Sequence, residues 1–223
     1  MGDTLMDGCA SRQPPLALGV TMMKKFAGKN ACFAAMLPLI AFASPAAAGT
    51  EQAFALQSKS IVAAYAPITV AEVEGAQRAW GDALVAISTT HDREGFAAAK
   101  RLAETVLDGA YAYNMGPVLF KPTLTLAPQT FRTQRDGALA YFVGGDKTFP
   151  NDSGFALKSW RTYKIDNAGI VITGNSATSM GNVSLTDAKG NVTTVDKTWG
   201  FVRDGEGKLR IFLHHSSLPY KAN

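Results

Sequence analysis

The sequence predicts an α+β fold, a curved antiparallel sheet wrapped around N-terminal helices, and three observations predict it. Apolar residues recur at helical spacing over residues 73–110. Residues 118–216 then carry a series of short β-type runs. Several of those runs are separated by "RDG", "DNAG", "DAKGN" or "DGEGK", which have the chemistry of hairpin turns. Helices first and closely connected strands afterwards place the helices on one face of an antiparallel sheet.

The elements follow in order. In "MMKKFAGKNACFAAMLPLIAFASPAAAGT", Lys24, Lys25 and Lys29 precede an apolar run over residues 31–43, and Ala46, Ala47 and Ala48 follow it. That is the three-part pattern of a secretory signal peptide. The run has 13 residues and contains Pro38, short of the roughly 20 that a membrane-spanning helix needs. Residues 1–21 have no targeting logic and fit a start codon placed too early. The expected division is therefore a signal peptide at 1–48, an arm or short helix at 49–68, and the functional domain at 69–223. A periplasmic or secreted product with no stable membrane anchor is expected.

Thr69 and Glu72 read as a capping box, and Val73, Ala76, Trp80, Ala83 and Ile87 form the apolar stripe of the helix it starts. Asp92 is placed to cap a second helix with Phe96, Ala99, Ala103, Val106 and Ala110 on one face. His91, beside it, reads as capping or solvated. The strand candidates are "VLFKPTLTL", "TFRTQ", "GALAYFVGG", "FALKSWRTYKI", "GIVITGNSATSM", "NVSLT", "VTTVDKTWGFV" and "LRIFLHHS".

Composition removes several functions. Both cysteines, Cys9 and Cys32, lie in the segment expected to be cleaved, so neither a disulfide nor a thiolate site is expected in the product. Residues 1–48 also hold four of the 22 basic and two of the 18 acidic residues, leaving 18 against 16. No cluster of Lys and Arg remains that argues for nucleic acid.

The chain closes with "LRIFLHHSSLPY", and two of its three histidines stand there. On a regular strand neighbours point to opposite faces, so His214 and Ser216 share one face with Phe212, while His215 and Ser217 share the other with Leu213 and Ile211. The histidines then diverge, and no third ligand has metal-site spacing. No metal and no cofactor are expected. His214 with Ser216 is a candidate polar pair, and the alternative is a strand end emerging into solvent.

"YNMGPVLFKPTLT", "GALAYFVGGDKTFPNDSGFALKSW", "MGNVSLTD", "VDKTWGF" and "LRIFLHHSSLPY" together resemble the metal-free branch of the iota-class carbonic anhydrases, in the nuclear transport factor 2-like, SnoaL-like superfamily. The likeness runs over residues 72–220. It implies a cone of curved sheet around helices, a homodimer, and reversible hydration of carbon dioxide to bicarbonate and a proton. It also implies a site made of Thr123, Tyr141, Ser216 and His214, the first three binding substrate. The proton acceptor is left open, and His214 is the natural candidate, since an unperturbed histidine titrates near 6.5. Two other readings use the same fold: a ketosteroid-isomerase-like enzyme with a carboxylate base, for which Asp196 is the candidate, and a non-enzymatic association module.

Overall fold

The computed structural model describes residues 66–222; the expected signal peptide and most of the expected arm lie outside the described residues. Two helices come first, α1 (Val70–Glu94) and α2 (Phe96–Ala110). Strand β1 (Leu119–Lys121), helix α3 (Arg135–Val143) and a 3₁₀ turn at Phe155–Leu157 follow. Four long strands complete the fold: β2 (Trp160–Thr173), β3 (Ser176–Asp187), β4 (Val192–Arg203) and β5 (Leu209–Ser217). The sheet order is β1-β5-β4-β3-β2. Only β1 is parallel to its neighbour; the other pairings are antiparallel.

The capping box forms as expected: Thr69 Oγ1 accepts from Glu72 N, and Glu72 Oε2 accepts from Thr69 N. Glu72 also pairs with Arg203 at the end of β4, which ties the start of α1 to the sheet and brings the Glu72 carboxyl down to about 2. The buried face of α1 is Val73, Gln77, Trp80, Leu84, Ile87 and Ser88. Gly81 on that face lets the Tyr163 ring of β2 lie against the helix, where a Cβ would collide with it.

Asp92 does not cap α2. It sits in the last turn of α1, where it accepts from Ser159 and Arg161, and Gly95 at φ 82° joins the two helices. His91, in that same turn, accepts Gly95 N–H at its carbonyl.

"GALAYFV" is helix and not strand. Helix α3 is buried at Gly137, Ala138, Ala140, Tyr141, Phe142 and Val143, so its apolar residues show no helical period and read as a buried strand. Arg135 anchors its first turn to Asp108 of α2, and Gly144 at φ 69° ends it. "TFRTQ" forms no strand either. Within it Arg132 is buried and grips Asp152 with two nitrogens at 2.8–2.9 Å, which fixes the loop between β1 and α3. The "DNAG" stretch is also not a turn: it bulges within β2, between Asn167 and Gly169, and the chain reverses at Gly174 and Asn175 instead.

Bulges bend the sheet. One lies between Trp160 and Thr162, another at residues 167–169, and a third shifts the β4–β5 register between Gly200 and Phe201. The third leaves Phe212 as the extra residue, since Leu213 pairs with Gly200 and Ile211 with Phe201. Phe212 packs over Gly200, where a Cβ would lie 2.7 Å from its ring. The alternation expected for the last strand is therefore broken: Ile211, not Phe212, is buried on the same side as His214.

Candidate active site

Strand alternation aims one face of β4 and one face of its hairpin partner β5 into the core. On β4 the inward residues are Val195, Lys197, Trp199 and Phe201; on β5, beyond the bulge, they are His214 and Ser216. Ser216 stands opposite Lys197, and His214 opposite Trp199. Strand β1 lies along the other side of β5, pairing Phe120 with His214, so that the residues after it, Pro122 and Thr123, reach Ser216. Helix α3 brings Tyr141 over the same place.

These elements enclose a narrow cleft lined by Trp80, Phe120, Pro122, Phe142 and Phe155 and by the polar residues Thr123, Tyr141, Lys197, His214 and Ser216. Its walls are apolar and aromatic. A ring-sized substrate does not fit between these side chains.

The four residues expected from the resemblance all meet here. Thr123 Oγ1 donates to Ser216 Oγ at 2.6 Å, which leaves the Ser216 hydrogen free to turn into the cleft. Lys121 Nζ holds the Ser216 carbonyl at 3.2 Å. The Tyr141 ring packs against Phe120 and Phe155. Its buried hydroxyl, facing Thr123 and Leu124, completes no hydrogen bond among the described residues. Burial also raises its pKa, so it stays a donor. Buried hydroxyls are nearly always paired, and an exception calls for an explanation.

His214 is 1% exposed and held on every side. Its ring stacks on Phe120 at 4.4 Å and meets the edge of Trp80 at 5.6 Å. Nδ1 is 2.8 Å from Tyr111 Oη, and Nε2 is 2.7 Å from Lys197 Nζ. Burial first, and then Lys197 and His215, push the imidazole well below its usual 6.5. That environment works against the expectation that His214 titrates near working pH.

The sequence reading missed Lys197, Tyr111 and Trp80. Lys197 is 3% exposed, with Nζ 4.6 Å from the Trp80 ring centre and 5.4 Å from that of Trp199. Among the described residues no carboxylate pairs with it, and burial brings its pKa down to about 7. A signal was present: in "VDKTWGF" the lysine occupies the register of Val195, Trp199 and Phe201, the face that a half-buried strand turns inward. Tyr111 links the pieces, receiving Trp80 Nε1–H at 3.0 Å while it meets His214.

Asp196, the candidate base of the isomerase reading, points away. It is exposed and accepts from Asn182, and no carboxylate lines the cleft. His215 and Ser217 lie on the outer side of the sheet, beside Asp196 and Met180. Among the described residues no three His, Cys, Asp or Glu side chains converge as metal ligands.

Comparison with known proteins agrees with this geometry. The family model described as metal-independent carbonic anhydrase matches residues 71–218. A metal-independent carbonic anhydrase of Nostoc sp. strain PCC 7120 is 67% identical over 154 residues, 69% of this chain and 75% of that protein. The crystal structure of a cyanobacterial iota-carbonic anhydrase complexed with bicarbonate is 66% identical. It superposes at a TM-score of 0.69, covering 70% of this chain and 95% of that one.

Proposed function

The chain belongs to the metal-independent carbonic anhydrases, the metal-free branch of the iota class, and hydrates carbon dioxide reversibly to bicarbonate and a proton; we propose that it does so in the cleft between β5, β1 and α3. The observation that carries this placement is the buried Tyr141 hydroxyl, unpaired among the described residues and standing over the Thr123–Ser216 pair within apolar walls.

Carbon dioxide is small and apolar, and Phe120, Phe142 and Phe155 offer it a surface without competing for water. As the attacking water oxygen bonds to carbon, negative charge spreads over the carbon dioxide oxygens. Tyr141 and Ser216 donate there. Thr123 orients Ser216, and His214 closes the wall behind it. Hydrogen bonds to a charged group are worth about 1.5–3 kcal/mol, and what counts for rate is the part present only in the transition state. Two or three such bonds supply a few kcal/mol, each 1.36 kcal/mol being about tenfold. Turnover below that of the fastest zinc enzymes is the consequence.

Stopped-flow carbon dioxide hydration tests the placement. Ser216→Ala, Thr123→Val and Tyr141→Phe should each lose at least about tenfold in rate; folded variants within twofold of the parent would overturn it.

The product is exported after cleavage near Ala48, a reading supported by Lys24, Lys25, Lys29 and the small residues that follow the apolar run. Intact mass of protein from a secretion-competent host should begin near Gly49 or Thr50. Two copies associate, as the resemblance implies. Leu126, Phe131, Val171 and Met180, each at least 60% exposed, offer apolar surface for the contact. Light scattering should give twice the chain mass.

A further inference from the structure

A lysine is almost never fully buried unless it is paired. Lys197 is 3% exposed, and its nitrogen has one hydrogen-bond partner among the described residues, His214 Nε2 at 2.7 Å. The direction of that bond fixes what the lysine nitrogen has left to offer.

Trp80 Nε1 is only a donor, so Tyr111 Oη accepts from it at 3.0 Å. The Tyr111 hydrogen then needs an acceptor, and His214 Nδ1 lies 2.8 Å away. That puts the imidazole proton on Nε2, which donates it to the lone pair of a neutral Lys197 amine. The lone pair is then occupied, so the amine accepts nothing further. Its two N–H bonds remain. An ammonium would keep the same number, since one of its three N–H bonds would go to Nε2. Two donors are left over whatever the charge of the lysine.

Among the described residues no oxygen takes either of these hydrogens. The rings of Trp80 and Trp199 have their centres 4.6 and 5.4 Å from Nζ, and an N–H contact with a ring face is weak. The open direction is the cleft, which Lys197 lines. Lys197 leaves β4 opposite Ser216 of β5 and on the same face, and the Cβ atoms of such a pair are roughly 4.5–5.5 Å apart. Ser216 turns its own hydrogen to the cleft, because Thr123 donates to its oxygen. From α3 the Tyr141 hydroxyl adds another unpaired donor.

Two hydrogens from Lys197 and one each from Ser216 and Tyr141 thus face a cleft that no carboxylate lines. Such a set suits a small anion whose oxygens only accept. The two unprotonated oxygens of bicarbonate share its charge and offer about four lone-pair sites, as a carboxylate does. Carbon dioxide, uncharged, is a poor acceptor.

We propose that Lys197 is a catalytic residue of the cleft in the role of donor, its two N–H bonds holding the charged oxygens of bicarbonate and of the transition state beside Ser216 and Tyr141. The inference rests on the placement of the reaction in this cleft. Negative charge reaches those oxygens only as the water oxygen bonds to carbon. The lysine therefore grips the transition state and bicarbonate, and adds little to the complex with carbon dioxide.

That asymmetry can be measured in both directions of the reaction. In hydration, Lys197→Met should lose at least about tenfold in kcat and keep its KM for carbon dioxide within about twofold. In dehydration the same variant should keep kcat within about twofold and raise KM for bicarbonate at least about tenfold, because bicarbonate and the transition state lose the same bonds. The two losses must match, since the equilibrium between carbon dioxide and bicarbonate fixes the ratio of kcat/KM in the two directions. A lysine that only shaped the fold would lower kcat both ways and leave both KM values alone. That outcome, or parental constants in folded Lys197→Met, would overturn the assignment.

Should Lys197→Met fail to fold, crystals of the parent protein grown with bicarbonate answer instead. A bicarbonate oxygen within about 3.2 Å of Lys197 Nζ supports the proposal. Bicarbonate held by Ser216 and Tyr141 with no oxygen inside that distance of Nζ overturns it, while leaving the placement intact. A parent that hydrates no carbon dioxide would sink the placement itself.

Discussion

His214 and His215 are neighbours of one residue type, yet the sheet gives them opposite chemistry. His214 is 1% exposed, stacked on Phe120 and bonded through both nitrogens; His215 is exposed on the outer face with Ser217 and Asp196. The same contrast divides Lys197 from Asp196 on β4. Burial separates the members of each pair, and burial is set by which face of a strand a residue occupies. On the inner face desolvation changes which protonation state is stable.

The largest effects should come from the inner face. Ser216→Ala and Tyr141→Phe should each lose at least about tenfold in hydration rate, and the pair should lose less than the product, because hydroxyls that hold one reacting group act as a unit. Full additivity in folded protein would mean that the two do not share a substrate, and would weaken the comparison.

Next comes stability, with the opposite sign. The folded lysine titrates at about 7, below its value near 10.4 in the unfolded chain. Between those values the unfolded chain holds a proton that the folded one lacks, so this group's contribution to stability rises with pH and is lost as pH falls towards 7. The cost at pH 7 is about 4 kcal/mol on that basis, and the His214 Nε2–H left unpaired by Lys197→Met offsets about 1–3 of it. Denaturant titration should therefore find Lys197→Met more stable by roughly 2 kcal/mol at pH 7. The advantage should disappear near pH 9 and reverse above it; one that is constant with pH would show the lysine charged in the fold.

A smaller change is expected in acid. The His214 pKa is depressed in the fold, so its contribution is present above about 6.5 and lost as pH falls below it. Thermal unfolding of His214→Gln should therefore lose less stability between pH 6.5 and 5 than the parent loses. An equal slope would place the acid sensitivity among the carboxylates instead. The smallest effects belong to the outer face: His215→Ala and Ser217→Ala should hydrate carbon dioxide within about twofold of the parent. A large loss in Ser217→Ala with none in Ser216→Ala would reverse the faces.

Much of this site was legible because its determinants are local. The divergence of His214 from His215 and the pairing of His214 with Ser216 follow from a period of two over three residues, too short for the bulge at Phe212 to disturb. The same bulge defeated the extension of that pattern to Ile211. Helix α3 was misread for a different reason: a helix buried all round has no polar face, so "GALAYFV" offers no period to distinguish it from a strand. Thr123 and Tyr141 came from resemblance alone, because a loop threonine and a buried tyrosine carry no periodic signal.

By itself the sequence determined the two leading helices, the β character of residues 160–217, the capped start of α1, two of the hairpin turns and the inward face at the end of β5. These depend on interactions between residues a few positions apart. The tertiary structure alone decided the chemistry of the cleft. Tyr111 and His214 are 103 residues apart in the chain, and Thr123 and Ser216 are 93 apart. Desolvation, which turns Lys197 from a surface cation into a base, is a property of everything packed around the amine. No stretch of sequence contains that environment, because Trp80, Trp199 and His214 reach it from three different elements.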